Sequence, residues 1–466
     1  MGDSAYRFVD FLNHVGATVW QTLPINMPHA DDSPYQCISA FAGNHKFISL
    51  EKLVEDGLLS AESLAASFAQ QLDKLAILKT AFYYNQQHGN DARKLAFAEF
   101  CRKNNHWLND YALFCIIREQ HQSDCWSAWP NQYRDRYPVA LQAFKKAHQE
   151  ELALVKFIQF CFFEQWHALK NYANLHGVAL FGDIPIFVAY DSADVWAHPE
   201  LFKLDAEKKM TVVAGVPPDY FSATGQRWGN PHYDWEKMRA TAFKWWVRRM
   251  ATQNELFDLV RIDHFRGLEA AWEIPADEPT AMNGTWVSAP GDALLRKLTK
   301  SFPDSSLVAE DLGVITTEVT ALKDKYGLPG MKILHFAFGG QEDNPYLPQH
   351  INPNSVAYTG THDNDTSLGW YLALPLHEKN NLHGYLQTDT PNMPYSLNIL
   401  ALNTNANLVV IPMQDILGLD GTHRMNKPGT AEGNWHWRFD WAQLQPIHSQ
   451  QFSEAIAASG RVVTKH

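Results

Sequence analysis

Positive charge is in short supply in this chain. Its 466 residues include 39 Lys and Arg against 51 Asp and Glu, which gives a formal net charge of −12. The basic residues are scattered and form no stripe of the kind that holds a phosphate backbone. We therefore expect no nucleic-acid partner.

Cysteine is scarce as well. The chain has five cysteines: Cys37, Cys101, Cys115, Cys125 and Cys161. An odd number without CxxC spacing argues against a disulfide framework and against a zinc site. We expect packed free thiols in a reducing compartment.

Long apolar runs are missing too. No run reaches the ~18 apolar residues that a membrane helix needs. The N-terminal stretch MGDSAYRFVDFL carries Asp3, Arg7 and Asp10 and has no long apolar core. The sequence thus predicts neither a membrane span nor a signal peptide, and we expect a cytoplasmic protein.

Aromatic residues, in contrast, are abundant. The chain has 16 Trp, 17 Tyr and 26 Phe, and 45% of its residues are hydrophobic. Such a chain can bury a large core, in several small domains or in one large barrel with insertions. Most aromatic side chains are expected in that core, and a minority are candidates for flat platforms that bind sugar rings.

Eight short β-rich runs recur along the chain, each followed by a longer helical or mixed segment. They are residues 16–25, 46–50, 178–188, 259–265, 306–312, 331–338, 355–363 and 407–415. Strands that alternate with helices predict parallel sheets, so the pattern fits a (β/α)₈ TIM barrel or a doubly wound sheet.

Acidic residues near the ends of these runs favour the barrel. Asp263, Glu310, Asp363 and Asp415 lie late in their runs, and Asp183 is a partial exception. The carboxyl ends of all barrel strands open on one face, where active sites are built. The sequence therefore predicts that four or five carboxylates converge.

Two long segments interrupt the alternation. Residues 51–175 show apolar residues at three and four spacing, which predicts a helical insertion between the second and third strands. Residues 190–245 are rich in Trp, Pro, Gly and Asp and predict ordered loops over the barrel mouth. We expect one catalytic barrel over residues 1–466, with both segments as insertions.

The run LVRIDHFRG, residues 259–267, concentrates charge at the end of an apolar strand. Arg261 and Asp263 share a strand face, and we expect the arginine to lower the aspartate's pKa and keep it ionised, as a nucleophile requires. Glu310, with Asp311 beside it, is expected to have a raised pKa, as a general acid requires. Two such carboxylates are typical of glycoside cleavage, at roughly 5 to 5.5 Å if configuration is retained.

Two other interpretations of these acidic residues are open on the residues alone. Carboxylates at strand ends also form structural ion pairs. Asp363-Asn364-Asp365 after an apolar strand resembles the nucleophile pair of aspartate-dependent phosphatases, although the glycine-rich phosphate cradle is missing.

Nine stretches of the chain resemble, in order, those of the 4-α-glucanotransferases, also called amylomaltases or disproportionating enzymes (glycoside hydrolase family 77). They are WQTLPI, DDSPYQCISAFAGN, FGDIPIFVAYDSADVWAHPELF, PPDYFSATGQRWGNPHYDW, VRIDHFRG, VAEDLG, LPGMKILHFAF, YTGTHDNDT and PGTAEGNWHWR. The resemblance covers essentially the whole chain.

The resemblance implies roles for individual residues. Asp263 matches the family's nucleophile, Glu310 its general acid/base, and Asp363 the carboxylate that stabilises the transition state. The other positions match residues that line the cleavage subsite or contact the glucan. They are Ser33, Tyr35, Asp183, Asp219, Tyr220, Phe221, Gln226, Trp228, Arg261, His264 and His362.

The resemblance also implies the reaction: transfer of α-1,4-glucan segments from a maltooligosaccharide, starch or glycogen donor to an acceptor 4-hydroxyl, with no cofactor and no metal. A hydrolase on the same scaffold and an inactive glucan-binding barrel remain alternatives. Relatives begin further upstream, with a glycine-rich LPSxYGIGD stretch of which only Gly2-Asp3 remains here, so we expect an N-terminally truncated form.

Overall fold

The computed structural model describes residues 1–122, 125–218, 222–430 and 432–461. Over these ranges the strands are β1 (Val19–Gln21), β2 (Ala179–Ile184), β3 (Val212–Val216), β4 (Gln226–Pro231), β5 (Leu259–Ile262), β6 (Ala270–Pro275), β7 (Thr285–Ser288), β8 (Ser306–Ala309), β9 (Gly330–Ile333), β10 (Ser355–Tyr358) and β11 (Leu408–Val410). The helices are α1 (Asp3–Val15), α2 (Leu50–Glu55), α3 (Ala61–Ala69), α4 (Lys74–His88), α5 (Asp91–Lys103), α6 (Asn105–Gln120), α7 (Asn131–Arg134), α8 (Pro138–Ala147), α9 (Gln149–Leu175), α10 (Ala193–Ala197), α11 (Trp235–Ala240), α12 (Lys244–Leu256), α13 (Gly291–Ser301), α14 (Thr317–Lys325), α15 (Ser367–Ala373), α16 (Leu376–Leu386), α17 (Tyr395–Leu402), α18 (Met413–Ile416) and α19 (Pro446–Ala458).

Two parallel sheets form the centre of an α/β fold. One has the strand order β1-β2-β5-β8 and the other β11-β10-β9. A backbone hydrogen bond of 2.9 Å, from Ala309 N to Pro329 O, joins the end of β8 to the residue before β9. The sheets are therefore neighbours along this edge.

The alternation of side chains along these strands divides the core in two. Leu180, Ile184, Val260 and Ile262 pack against the helices in the largest apolar cluster. The opposite strand faces meet in a second cluster to which both sheets contribute: Phe181, Val308, Met331, Ile333, Val356 and Tyr358, with Val19, Leu259, Leu312, Leu408 and Val410 packed on it. Residues two further along β2 and β5 from this cluster, Asp183 and Arg261, are charged, so an apolar floor lies beneath a polar layer.

Seven of the eight predicted β-runs contain strands, and the prediction for the remaining run, residues 46–50, is wrong. His45–Phe47 form a 3₁₀ turn, and α2 begins at Leu50. The side chains of Asn44 and Ser49 accept hydrogen bonds from Lys46 N and Lys52 N and so cap both turns. These caps favour helical turns over a strand. A short apolar run cannot reveal this by periodicity alone.

The helical segment 51–175 therefore follows β1 directly instead of a second strand. Its long helix α9 packs against α4, α5 and α6. Two buried side-chain amides on α9 bind the loop between β1 and α2. Gln159 forms hydrogen bonds with the backbone of Gly43, and Gln165 with that of Ser49. As expected, many aromatic side chains fill the core, and the largest that are fully buried include Trp126, Trp196, Trp246, Tyr233 and Phe114.

The segment 190–245 is more regular than the predicted loops. Its strands β3 and β4 pair antiparallel and join β6 and β7 in a third sheet of order β4-β3-β6-β7.

The parallel sheets end at β1 on one side and β11 on the other, and both strands line a cavity of about 490 Å³ that extends to Arg261 and His362.

Candidate active site

The ends of adjacent parallel strands bring the predicted carboxylates together. Asp183 at the end of β2 is in register with Arg261 on β5. The ladder continues beyond the strands, with Asp263 N donating to Ile184 O at 3.0 Å and Glu310 N donating to Ile262 O at 3.1 Å. Asp263 and Glu310 therefore occupy equivalent positions after neighbouring strands.

A single guanidinium connects two of these carboxylates. Arg261 Nη1 lies 2.8 and 2.7 Å from the two carboxylate oxygens of Asp183, and Nη2 lies 2.9 Å from Asp263 Oδ1. Arg261 and Asp183 are buried, whereas the Asp263 side chain is 28% exposed. The arginine thus fixes the Asp263 carboxylate while leaving part of it accessible.

The expectation that Arg261 lowers the pKa of Asp263 is wrong in its net direction. Burial raises the pKa of Asp263 to about 8, and the nearby carboxylates of Asp183, Glu310 and Asp363 add to the increase. Arg261 opposes it. The physical reason is desolvation: burial disfavours the charged carboxylate, and the attraction of Arg261, which also binds Asp183, does not offset this effect.

Glu310 is held by backbone N–H groups. His264 N donates to Glu310 Oε2 at 2.7 Å, and Leu312 N donates to Oε1 at 2.9 Å. Burial raises the pKa of Glu310, with help from Asp311 and against the effect of Arg261 and the two N–H groups. Burial thus raises the pKa of both Asp263 and Glu310, and these neighbouring carboxyl groups retain a proton near neutral pH.

His264 has an unusual backbone conformation that serves this arrangement. Its φ of 51° is in the left-handed region, which is costly for a residue with a Cβ. The planes of the His264 and Trp228 rings make an angle of 89° in a T-shaped contact, with ring centres 4.8 Å apart. Burial lowers the pKa of His264 to about 3, so its ring is neutral.

Asp363 lies at the more open side of the cluster, with 51% of its side chain exposed. Asn426 Nδ2 donates to its Oδ1 at 2.7 Å, and His362 Nε2 lies 3.4 Å from the same atom. The ring of Tyr35 stacks on His362 at 5.2 Å, and its hydroxyl donates to Asp183 Oδ2 at 2.7 Å. Tyr35 thus links His362, the neighbour of Asp363, to the buried ion pair of Asp183 and Arg261.

The remaining predicted glucan-contacting residues divide into two groups. Ser33 Oγ accepts a hydrogen bond from Tyr35 N at 3.4 Å, and Gln226 Oε1 accepts from Trp228 Nε1 at 3.2 Å, so both support aromatic residues of the site. Asp219, Tyr220 and Phe221 lie outside the described residues.

The sequence prediction missed a segment that covers this side of the site. Besides the Asn426 contact, Arg424 Nη2 donates to the backbone carbonyl of Asp363 at 3.0 Å. The ring centre of Trp435 lies 5.8 Å from those of both Tyr35 and His362. Trp435 falls in PGTAEGNWHWR, so that stretch had marked the region without indicating which side chains face the site.

Comparison with known proteins identifies the family of this chain. The family model described as 4-alpha-glucanotransferase matches residues 1–444. The chain belongs to the 4-alpha-glucanotransferase family. It is 46% identical to the 4-alpha-glucanotransferase of Thermus thermophilus, over 99% of this chain and 95% of that protein, and 45% identical to that of a Synechocystis strain, over 99% and 94%.

Solved structures agree with this assignment to the 4-alpha-glucanotransferase family. The amylomaltase from Streptococcus agalactiae, in complex with acarbose, superposes with a TM-score of 0.93 at 32% identity, over 99% of this chain and 96% of that one. The amylomaltase from Corynebacterium glutamicum shares the fold, with a TM-score of 0.77 at 18% identity, over 98% of this chain and 72% of that one.

In this family member, Asp415 is not part of the carboxylate cluster, contrary to the sequence prediction. Its side chain is buried and accepts hydrogen bonds from Thr359 and Ser367. Asp363 and Asp365, the acidic pair of the phosphatase-like alternative, have different partners as well. Asp365 lies 3.8 Å from Arg424, and Asn364 between them accepts hydrogen bonds from Thr361.

Two absences hold for the part of the chain that the structure describes. There, no group of three or more His, Cys, Asp and Glu side chains has the arrangement of a metal site. No helix in the same ranges combines the length and the apolar character that crossing a bilayer demands.

Proposed function

We propose that the chain moves α-1,4-glucan segments from a donor glucan to the 4-hydroxyl of an acceptor, through a covalent glycosyl-enzyme and with retained configuration. The observation that carries the proposal is that Asp263 and Glu310 directly follow adjacent strands, where burial raises the pKa of both carboxyl groups. Family membership supplies the substrate class, α-1,4-glucans, and the Streptococcus agalactiae relative binds acarbose.

In the first step, Glu310 donates its proton to the glycosidic oxygen while an Asp263 oxygen attacks the anomeric carbon. The glycosidic C–O bond breaks, the shortened glucan leaves as an alcohol, and an ester joins the transferred sugar to Asp263. Arg261 orients Asp263 for attack through its 2.9 Å contact. The raised pKa of Glu310 supports its role as the acid.

In the second step, Glu310 is ionised and accepts the proton of the acceptor's 4-hydroxyl. The acceptor oxygen attacks the anomeric carbon, the ester breaks, and Asp263 is released. Two inversions give net retention, which places the two carboxylates roughly 5 to 5.5 Å apart. Asp363 binds sugar hydroxyls and stabilises the positive charge of the transition state, for which its half-exposed carboxylate is suited.

Transfer requires that acceptor sugar compete with water at the glycosyl-enzyme. We assign Trp228, Tyr220 and Phe221 to this exclusion of water. Ser33, Tyr35, Asp219 and Gln226 contact the glucan, and Asp183, His264 and His362 line the subsite where the bond breaks. The contacts of Tyr35 with Asp183 and of Trp228 with His264 support these positions.

The architecture belongs to the same proposal. The two parallel sheets form one barrel-like wall whose polar end carries the site, within a single catalytic unit over residues 1–466. The helical segment 51–175 packs outside this wall, and the segment 190–245 covers the site. The reaction uses no cofactor or metal, and the protein is cytoplasmic.

The proposal is tested by incubating the purified protein with maltotriose and separating the products. We expect glucose together with a ladder of longer maltooligosaccharides. Asp263→Asn should abolish both, because the ester cannot form. Asp258→Asn is the matched control, since Asp258 lies before the opposite end of β5 and its substitute retains an oxygen that accepts a hydrogen bond from Leu180 N.

Two results contradict the proposal. Glucose and maltose without longer chains would establish a hydrolase on the same scaffold. Binding of maltotriose without turnover, in wild type as in Asp263→Asn, would establish a glucan-binding protein that lacks catalysis.

A further inference from the structure

The loop 360–366 between β10 and α15 carries His362 and Asp363. Inside the loop, Asn364 Oδ1 accepts hydrogen bonds from the N–H and the hydroxyl of Thr361, both at 2.9 Å. Thr359 precedes the loop and Ser367 follows it, and both are fully buried. The position of Asp363 thus depends on where these two ends are held.

One buried carboxylate holds both ends. Asp415 Oδ2 accepts from the hydroxyl of Thr359 at 2.7 Å and from that of Ser367 at 2.5 Å, and Oδ1 accepts from Ser367 N at 2.8 Å. Asp415 itself is 2% exposed. Burial raises its pKa, and the three hydrogen bonds oppose that increase.

A second contact fixes the orientation of the Ser367 hydroxyl. Because this hydroxyl donates to Asp415, it accepts from His335, whose Nε2 lies 2.9 Å away. Burial lowers the pKa of His335 to about 3, so its ring is neutral and carries the proton on Nε2. The ring of Trp370 stacks on His335 at 4.4 Å and 7°.

We propose that Asp415 is a positioning residue for glucan transfer: by joining Thr359 to Ser367, it holds the loop 360–366 so that Asp363 faces the Asp263–Glu310 pair. Asp415 touches no reacting atom. This inference rests on the role proposed above for Asp363.

The chemistry of the network determines which substitutions are informative. An Asn at position 415 retains one acceptor oxygen, which can serve either the two hydroxyls or Ser367 N, and its NH₂ group cannot accept from whichever donors face it. Thr359→Val removes one donor with little change of shape, whereas Thr359→Ser keeps it. A displacement of the loop by about 1 Å is enough to reduce catalysis by roughly 100-fold.

The experiment measures kcat and KM for maltotriose disproportionation, normalised to folded protein and well below each melting temperature. We expect Asp415→Asn and Thr359→Val to lower kcat by about 10- to 100-fold with KM changed by less than about 3-fold, because transition-state contacts are lost without loss of ground-state binding. Thr359→Ser should restore most of kcat. Gln165→Leu, which removes two buried hydrogen bonds far from the loop, should lower the melting temperature and leave kcat unchanged.

Different results overturn the inference and the function on which it rests. If Asp415→Asn keeps kcat within about 3-fold of wild type, or Gln165→Leu lowers kcat equally, Asp415 has only a structural role. Asp363→Asn is measured in parallel. If that variant retains full activity while wild type makes the product ladder, the role of Asp363 fails, and the inference fails with it.

Discussion

Replacing Asp263 by Asn should stabilise the folded protein, and by an amount that grows with pH. Asp263 has a pKa of about 8 in the folded protein, against an ordinary value of 3.8. Between those pH values the unfolded chain binds fewer protons than the folded one. The free energy of unfolding of the wild type therefore falls as pH rises, by ~1.4 kcal/mol per pH unit for a full proton.

The size of the effect follows from this slope. Between about pH 5 and about pH 7 the loss sums to ~3 kcal/mol, because the unfolded carboxyl is ionised over that range and the folded pair keeps its proton. At ~2.1 cal/mol/K of unfolding entropy per residue, 466 residues give ~1 kcal/mol/K. The melting temperature of Asp263→Asn relative to wild type should thus increase by ~3 °C between the two pH values.

Melting curves of wild type and Asp263→Asn at both pH values provide the test. Titrating groups outside this carboxylate cluster affect both proteins equally and cancel in the difference. Asp363→Asn is the control, since it removes a half-exposed carboxylate of the same cluster. A difference that stays constant with pH would refute the raised pKa of Asp263. A difference that decreases with rising pH would mean that Arg261 dominates and lowers that pKa, as the sequence alone predicts.

Three further predictions follow from the packing and charges of the site. Gly182→Ala should lower the free energy of unfolding by ~1–3 kcal/mol or more in urea titrations, because its Cβ would lie 2.3 Å from the Phe257 ring. Gly384→Ala, in the open interior of α16, should raise the free energy of unfolding slightly, and equal effects of the two substitutions would contradict the steric argument. Tyr35→Phe keeps the ring stack on His362 but leaves Asp183 without the hydroxyl that donates to it at 2.7 Å, so kcat/KM for maltotriose should fall roughly 10- to 100-fold. An unchanged kcat/KM would show that this hydrogen bond does not contribute to catalysis. In a pH–rate profile, the decline of kcat/KM at high pH should begin well above pH 4.5, the ordinary pKa of a glutamate, because burial raises the pKa of the proton donor Glu310. A decline that already begins near pH 4.5 would contradict this assignment.

Sequence pattern was sufficient for much of the fold, although it did not predict the sheet of β3, β4, β6 and β7. The one wrong prediction among its eight β-runs has a local cause. In five of the runs acidic residues follow the apolar part, with Asp183 a partial exception, because buried parallel strands lead to a polar layer. The run at 46–50 has the same composition, but Asn44 and Ser49 bond to backbone N–H groups two and three residues ahead and so produce turns. Side-chain caps of this kind are visible in a sequence only when the helix boundaries are already known.

The candidate site was predicted well where one strand ends beside another and poorly where distant segments meet. Asp263 and Glu310 follow neighbouring strands, so their positions after apolar runs were enough. Asp415 follows a strand in the same way, yet its carboxylate turns to Thr359 and Ser367 instead of the cluster. No periodicity in the sequence distinguishes these two outcomes, because the difference depends on hydroxyls that lie about 50 residues away along the chain.

Burial of several carboxylates around the single guanidinium of Arg261 explains why the proposed catalytic site also reduces stability. Burial disfavours the charged form of Asp263, and Arg261 opposes this effect without offsetting it. Because Arg261 also binds both oxygens of Asp183, the buried cluster has more negative groups than positive ones and retains a proton. Glycoside cleavage needs that proton on one carboxylate and none on the other. The same proton must be released by the unfolded chain at neutral pH, so a site that keeps it ready for transfer lowers the stability of the fold that holds it.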